Sequence, residues 1–122
     1  MKSEKRDRER ILLARLFDCD ESKLKNPGYI SSVFKQAASM MKLIPVNELS
    51  HKHEYPESVS HYLVVEESHI GISTWPEYMS AVVYLVSCNP ESDMRKGLDF
   101  IASSFSGKYE INCEMDIILK KE

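Results

Sequence analysis

The 122-residue chain is predicted to be an α+β two-layer sandwich: a mainly antiparallel sheet with two helices on one face. Three observations point there. Two stretches carry apolar residues at helical spacing, the final stretch alternates strictly with period two, and the order reads strand, helix, strand, strand, strand, helix, strand. At this length the chain is one domain, 1–122, long enough to bury a real core but too short for two.

The elements follow in order. MKSEKRDRER, residues 1–10, alternates basic and acidic side chains and reads as a charged, solvated arm. The stretch behind it is not the apolar h-region of a signal peptide, so a secretory signal is not expected. From Ile11 to Cys19 the run ILLARLFDC is too apolar for an exposed helix and reads as a buried strand. Asn26 and Pro27 form an N-cap and first-position pair. Behind them Ile30, Val33, Phe34, Ala37, Ala38 and Met41 fall on one stripe, predicting a helix from Pro27 to Lys42.

Leu43 to Leu49 is predicted to return as a strand, and HKHEYPESVS, with Pro56 and its serines, to be a loop. SHYLVVEE and SAVVYLVSC, rich in Val, Leu and Tyr, suit two further strands. Asn89 and Pro90 repeat the earlier cap signature. Met94, Leu98, Ile101, Ala102 and Phe105 then describe a second helix, which Gly107 can close in a left-handed cap. In the last strand Tyr109, Ile111, Cys113 and Met115 alternate with Glu110, Asn112, Glu114 and Asp116, so Cys113 is expected to point inward.

Composition excludes several classes of function. A net charge of −3 gives no basic surface for nucleic acid, and no apolar run approaches the ~20 residues that span a bilayer. Cys19, Cys88 and Cys113 are odd in number and unevenly spaced, which fits neither a disulfide framework nor a zinc site and points to the cytoplasm. His51 and His53 lie two apart on one possible strand face but have no third ligand at convincing spacing, so no metal is expected.

The informative stretch is Glu67-Ser68-His69, a variable segment, then Thr74-Trp75-Pro76-Glu77-Tyr78, with Cys88 at the end of the next strand. It resembles the short prokaryotic and archaeal S-adenosylmethionine decarboxylases, which carry all three features at these distances. The resemblance extends more weakly over residues 11–117, including Cys19-Asp20 and Lys35-Gln36-Ala37-Ala38. It implies an α+β protomer, a homodimer with sites near the interface, and a small amino-acid substrate in polyamine biosynthesis. It also implies a cofactor made from the chain itself. The Ser68 hydroxyl attacks the Glu67 carbonyl, the resulting ester is eliminated, and hydrolysis leaves a pyruvoyl group at position 68. That ketone condenses with the substrate amine and accepts the electrons released with carbon dioxide. The resemblance makes Cys88 the proton donor, Glu77 the holder of the ribose hydroxyls, and Ser60 an assistant in processing.

The chain departs from this pattern at three places. Ser73 stands where the family carries the histidine that removes a proton during self-cleavage, and a serine hydroxyl is a poor base; His69 and His61 are the substitutes considered. If 68–74 is extended, His69 shares a face with Ser73. Glu54, beside Tyr55, stands where several relatives stack an aromatic ring on adenine. S-adenosylmethionine is the leading substrate, with adenine stacking kept if Tyr55 faces the site; arginine or ornithine is the alternative if Glu54 faces it. Met79-Ser80 replace a Gly-rich continuation, and Tyr84 replaces an acid. Two functions stay open: a pyruvoyl-dependent decarboxylase, or a homologue that does not process itself and serves a structural or regulatory role.

Overall fold

A computed structural model describes residues 7–120. Among them β1 (Arg8–Phe17), β2 (Pro45–Glu54), β3 (Glu57–Val65), β4 (Ser68–Trp75), β5 (Ser80–Ser87) and β6 (Lys108–Ile118) form one sheet in the order β2-β3-β4-β5-β1-β6. Every neighbouring pair is antiparallel. The short α1 (Glu21–Leu24), then α2 (Pro27–Met40) and α3 (Met94–Ser104), complete the fold, with α2 and α3 packed on each other and on one sheet face. No helix among the described residues is long and apolar enough to cross a membrane.

Local chemistry explains α2 as expected. The Asn26 side chain accepts a hydrogen bond from the Tyr29 amide and Pro27 opens the helix; such a cap contributes about 1 kcal/mol. The stripe Ile30, Val33, Phe34, Ala37 and Ala38 is fully buried against the sheet. It meets Leu12, Ala14 and Leu16 of β1, Ile70 and Ile72 of β4 and Val83 and Leu85 of β5 in one core. Each large apolar side chain there contributes roughly 1.5–3 kcal/mol by leaving water.

The structure corrects several expectations. The segment 68–75, left unassigned between two strands, is a sixth strand: Ile70, Ile72 and Thr74 are buried alternately with half-buried or exposed His69, Ser73 and Trp75. The supposed loop HKHEYPESVS is the end of β2, a tight turn at Tyr55 and Pro56 with a cis peptide bond, and the start of β3. Arg8, Glu9 and Arg10, assigned to the charged arm, are paired within β1; residues 1–6 of that arm lie outside the described residues. Asn89 does not cap α3. Asp93 does, accepting from the Lys96 amide, while Asn89 Oδ1 closes a local turn with the Glu91 amide.

The close of α3 differs too. Ser106, at φ 59°, takes the left-handed position, and the amides of Ser106 and Gly107 bond back to Ser103 and Ala102. Gly107 is required for a different reason: a Cβ there would lie 2.6 Å from Cys19 Sγ. Cys113 does not point inward. A bulge at Asn112 breaks the register between Ala14↔Ile111 and Leu13↔Cys113, so Tyr109 and Ile111 pack under the helices while Cys113 and Met115 turn to the other face.

Among the described residues that other face carries no helix. Ile11 and Leu13 of β1, Val82, Tyr84 and Val86 of β5, and Tyr62 and Val64 of β3 project from it, half-buried or exposed. Gly71 at its centre leaves room for the Tyr62 ring, which a Cβ would meet at 2.7 Å.

Candidate active site

The chemistry-bearing residues gather in two groups at opposite ends of β4. At the first end a two-residue turn joins β3 to β4, and Glu67 occupies it at φ 69°. A side chain in this left-handed region costs roughly 1 kcal/mol or more, so the backbone is strained at the bond to Ser68. The Ser68 hydroxyl donates to the Glu67 carbonyl oxygen at 2.5 Å, and Cys88, just past β5, brings its thiol to the same oxygen at 3.2 Å. Strand pairing delivers both, because Ser68 sits opposite Ser87. The thiol is placed to stabilise negative charge on that oxygen as the carbonyl is attacked. Cys88 also lines a hollow of about 260 Å³ with Arg8, Arg10, Pro90 and Asp116.

At the other end a cavity of about 310 Å³ is lined by His53, Tyr55, Pro56, Ser58, Ser60, Ser73, Thr74, Trp75 and Glu77. Ser60 and Ser73 are direct partners across β3 and β4. Thr74 is buried and spends its hydroxyl accepting from the Val59 amide, which ties the wall together. Glu77 stands in the 3-10 turn Pro76–Tyr78 that Pro76 opens. The turn closes on Met79 at φ 50°, a left-handed position that suits the glycine of the family pattern.

Sequence reasoning singled out Glu67, Ser68 and Cys88, which meet at one carbonyl, and Ser60, Ser73, Tyr55 and Glu77, which meet in one cavity. It did not separate the two groups. Glu54 is not in the cavity; it lines a different hollow of about 280 Å³ with Lys52, His53, Tyr55 and Glu57. His69 is exposed on the open face, four residues from Ser73. His61, considered as a substitute base, is buried on the helix side, its ring edge-on to Phe34 and its Nε2 3.0 Å from Glu48 Oε1. Burial pushes the His61 pKa down, against the pull of Glu48, while Glu48 is itself held below the usual carboxylate range by the Ser31 hydroxyl and Lys35. His53, Ser58 and Trp75 were missed as parts of the cavity. The signal was available in the alternation of His51 and His53, had the strand been carried through to Glu54.

Among the described residues no group of three or more His, Cys, Asp or Glu side chains is arranged to hold a metal. Cys19 is buried, and its thiol pKa is pushed up to about 11 by burial and by Asp18.

A family model described as S-adenosylmethionine decarboxylase matches residues 10–116. The chain belongs to the S-adenosylmethionine decarboxylase family. It is 37% identical over 98 residues to the S-adenosylmethionine decarboxylase proenzyme of Saccharolobus islandicus, covering 80% of this chain and 79% of the relative. It is 35% identical over 99 residues to the proenzyme of that name from Fervidobacterium nodosum, covering 81% and 72%. The crystal structure of the adenosylmethionine decarboxylase from Aquifex aeolicus matches the fold with a TM-score of 0.77 at 22% identity, over 93% of this chain and 94% of that one.

Proposed function

We propose that this chain is a proenzyme that cuts itself between Glu67 and Ser68 and, once cut, decarboxylates S-adenosylmethionine in polyamine biosynthesis, working as a homodimer. The observation that carries the reading is the Glu67 carbonyl oxygen, contacted at once by the Ser68 hydroxyl and the Cys88 thiol. In the first step Ser68 Oγ adds to the Glu67 carbonyl carbon, the Cys88 S–H supports the developing oxyanion, and the Glu67–Ser68 amide nitrogen leaves. The chain is then held by an ester until the Cα proton of residue 68 is removed and the Glu67 carboxylate departs.

The serine at position 68, whose hydroxyl meets the Glu67 carbonyl, fits as the source of a pyruvoyl group, which, when present, supplies an electron sink for the loss of carbon dioxide. The protein's part is to hold the substrate and return a proton. Cys88 is the donor proposed for that return. Glu77 would accept hydrogen bonds from ribose hydroxyls, and Tyr55, on the same cavity and 94% exposed at a hairpin tip, is free to stack on adenine. Because Tyr55 and not Glu54 lines that cavity, a substrate bearing adenine is favoured over arginine or ornithine.

What supports a homodimer is the division of the site. Ser73 lies five residues beyond Ser68, roughly 16 Å along an extended strand, too far for one protomer to apply both groups to one bond. Two copies related by a two-fold axis, open face to open face, would lay one end of each sheet over the opposite end of its partner and cover the apolar side chains there.

Purified chain followed by intact mass tests the reading. Fragments of residues 1–67 and 68–122, the second with a blocked start, should accumulate, and the cut protein should release carbon dioxide from S-adenosylmethionine. A single full-length chain after long incubation would overturn it and leave the structural or regulatory role.

A further inference from the structure

We propose that His53 is the base that removes the Cα proton of residue 68 in the elimination step, replacing the histidine that position 73 lacks. The inference rests on the self-cleavage reading above. Of the chain's four histidines, His53 alone lines the cavity with Ser60 and Ser73. Its Nε2 lies 3.2 Å from Ser60 Oγ, and Ser60 is paired directly with Ser73. The strand register accounts for this reach. His53 stands opposite Ser58, so its ring leans diagonally to Ser60 two residues along, as long side chains do across an antiparallel pair.

The ring is also braced. His51, two residues before on the same face, sets its own ring edge-on to it with centroids 4.5 Å apart. The imidazole therefore stands on β2, with β3 between it and the β4 position from which the family's histidine projects, and it reaches Ser60 on that intervening strand. The other histidines do not substitute: His61 is buried beneath α2, and His69 stands four residues away toward the opposite end of β4.

The proton balance closes with groups the chain supplies. In the ester, residue 68 carries Glu67 on its Oγ. With two copies paired, the Cα–H of residue 68 gives its proton to His53 Nε2, the Ser60 hydroxyl that touches this nitrogen serving as relay. The C–H electrons form the Cα–Cβ double bond, the Cβ–Oγ bond breaks, and Glu67 leaves as a carboxylate. The imidazolium returns the proton to water, and water then converts the dehydroalanine to ketone and ammonia. Imidazole can accept a proton near neutral pH, whereas a serine hydroxyl standing alone cannot.

The test uses the full chain with His53→Gln, alone and combined with Ser73→His, followed by intact mass with and without hydroxylamine, which cleaves esters. His53→Gln should slow formation of the blocked 68–122 fragment by about 100-fold or more, the usual contribution of a general base. Hydroxylamine should still split that variant after Glu67, because the acyl shift does not need the imidazole. Adding Ser73→His should restore cleavage. Cleavage of His53→Gln at the wild-type rate would overturn the assignment and leave self-processing intact. Loss of the hydroxylamine-sensitive ester together with failure of Ser73→His to rescue would also overturn it, marking His53 as structural. A wild-type chain that neither cleaves nor forms the ester would remove self-processing itself, and the assignment with it.

Discussion

Cys88 Sγ lies 3.2 Å from the Glu67 carbonyl oxygen, although the two residues are 21 positions apart and belong to different turns. On the proposed self-cleavage, the contact makes Cys88 a donor to the oxygen that becomes negative during the acyl shift, before any substrate arrives. Cys88→Ala should therefore slow the appearance of the 1–67 and 68–122 fragments, by about tenfold for a thiol and less than the roughly 100-fold lost with a stronger oxyanion donor. Unchanged cleavage kinetics by gel or mass would mean that the thiol does not act on this carbonyl.

Tyr55 lines both the cavity that holds Glu77 and the hollow beside it, whereas its neighbour Glu54 lines only the second. Tyr55→Ala should raise KM for S-adenosylmethionine about tenfold, the scale of one lost ring-to-base stack, and Glu54→Ala should change it little. Steady-state carbon dioxide release from pre-cleaved protein makes the comparison. The reverse ranking would return arginine or ornithine to consideration.

Ser106 holds a left-handed conformation that glycine adopts without penalty, whereas a Cβ added at Gly107 would meet Cys19 Sγ and, at 3.0 Å, the Phe17 carbonyl oxygen. Ser106→Gly should raise Tm by about 3 °C, corresponding to something under 1 kcal/mol in a domain of this size. Gly107→Ala should lower stability by about 1–3 kcal/mol, because the added carbon must push backbone as well as a side chain. Thermal unfolding read by circular dichroism separates the two; equal effects would mean that the cap has been misassigned.

His61 is buried, its pKa is depressed by desolvation, and its Nδ1 has no protein partner among the described residues. The folded state thus binds fewer protons at this site than the unfolded chain does. Stability should be fully present above the ordinary histidine pKa of about 6.5 and should fall as pH drops below it, until the depressed folded value is passed. His61→Gln should flatten the loss of Tm between about pH 7 and 5 relative to wild type. An identical slope in both proteins would show that His61 does not carry the linkage.

Features written in short stretches of sequence were legible from it. Asn26-Pro27 starts α2 because a cap needs only its own next three residues, and the apolar stripe from Ile30 to Ala38 names its buried face by spacing alone. Glu67-Ser68, Ser60, Glu77 and Cys88 were singled out as residue types at family distances, and Ser73 and the Glu54-Tyr55 pair as departures from the pattern.

What tertiary structure decided was the set of things that depend on a partner strand. The bulge at Asn112, which turns Cys113 outward, arises from pairing with β1 and leaves no mark on the alternating pattern. The strand at 68–75 was hidden because its buried positions include Thr74, whose hydroxyl is satisfied by an amide 15 residues away. Two histidines in a supposed loop gained meaning when hairpin pairing brought His53 to Ser60. Local sequence determines which backbone conformations are cheap, but hydrogen bonds between distant strands select the register, and register decides which side chains share a cavity.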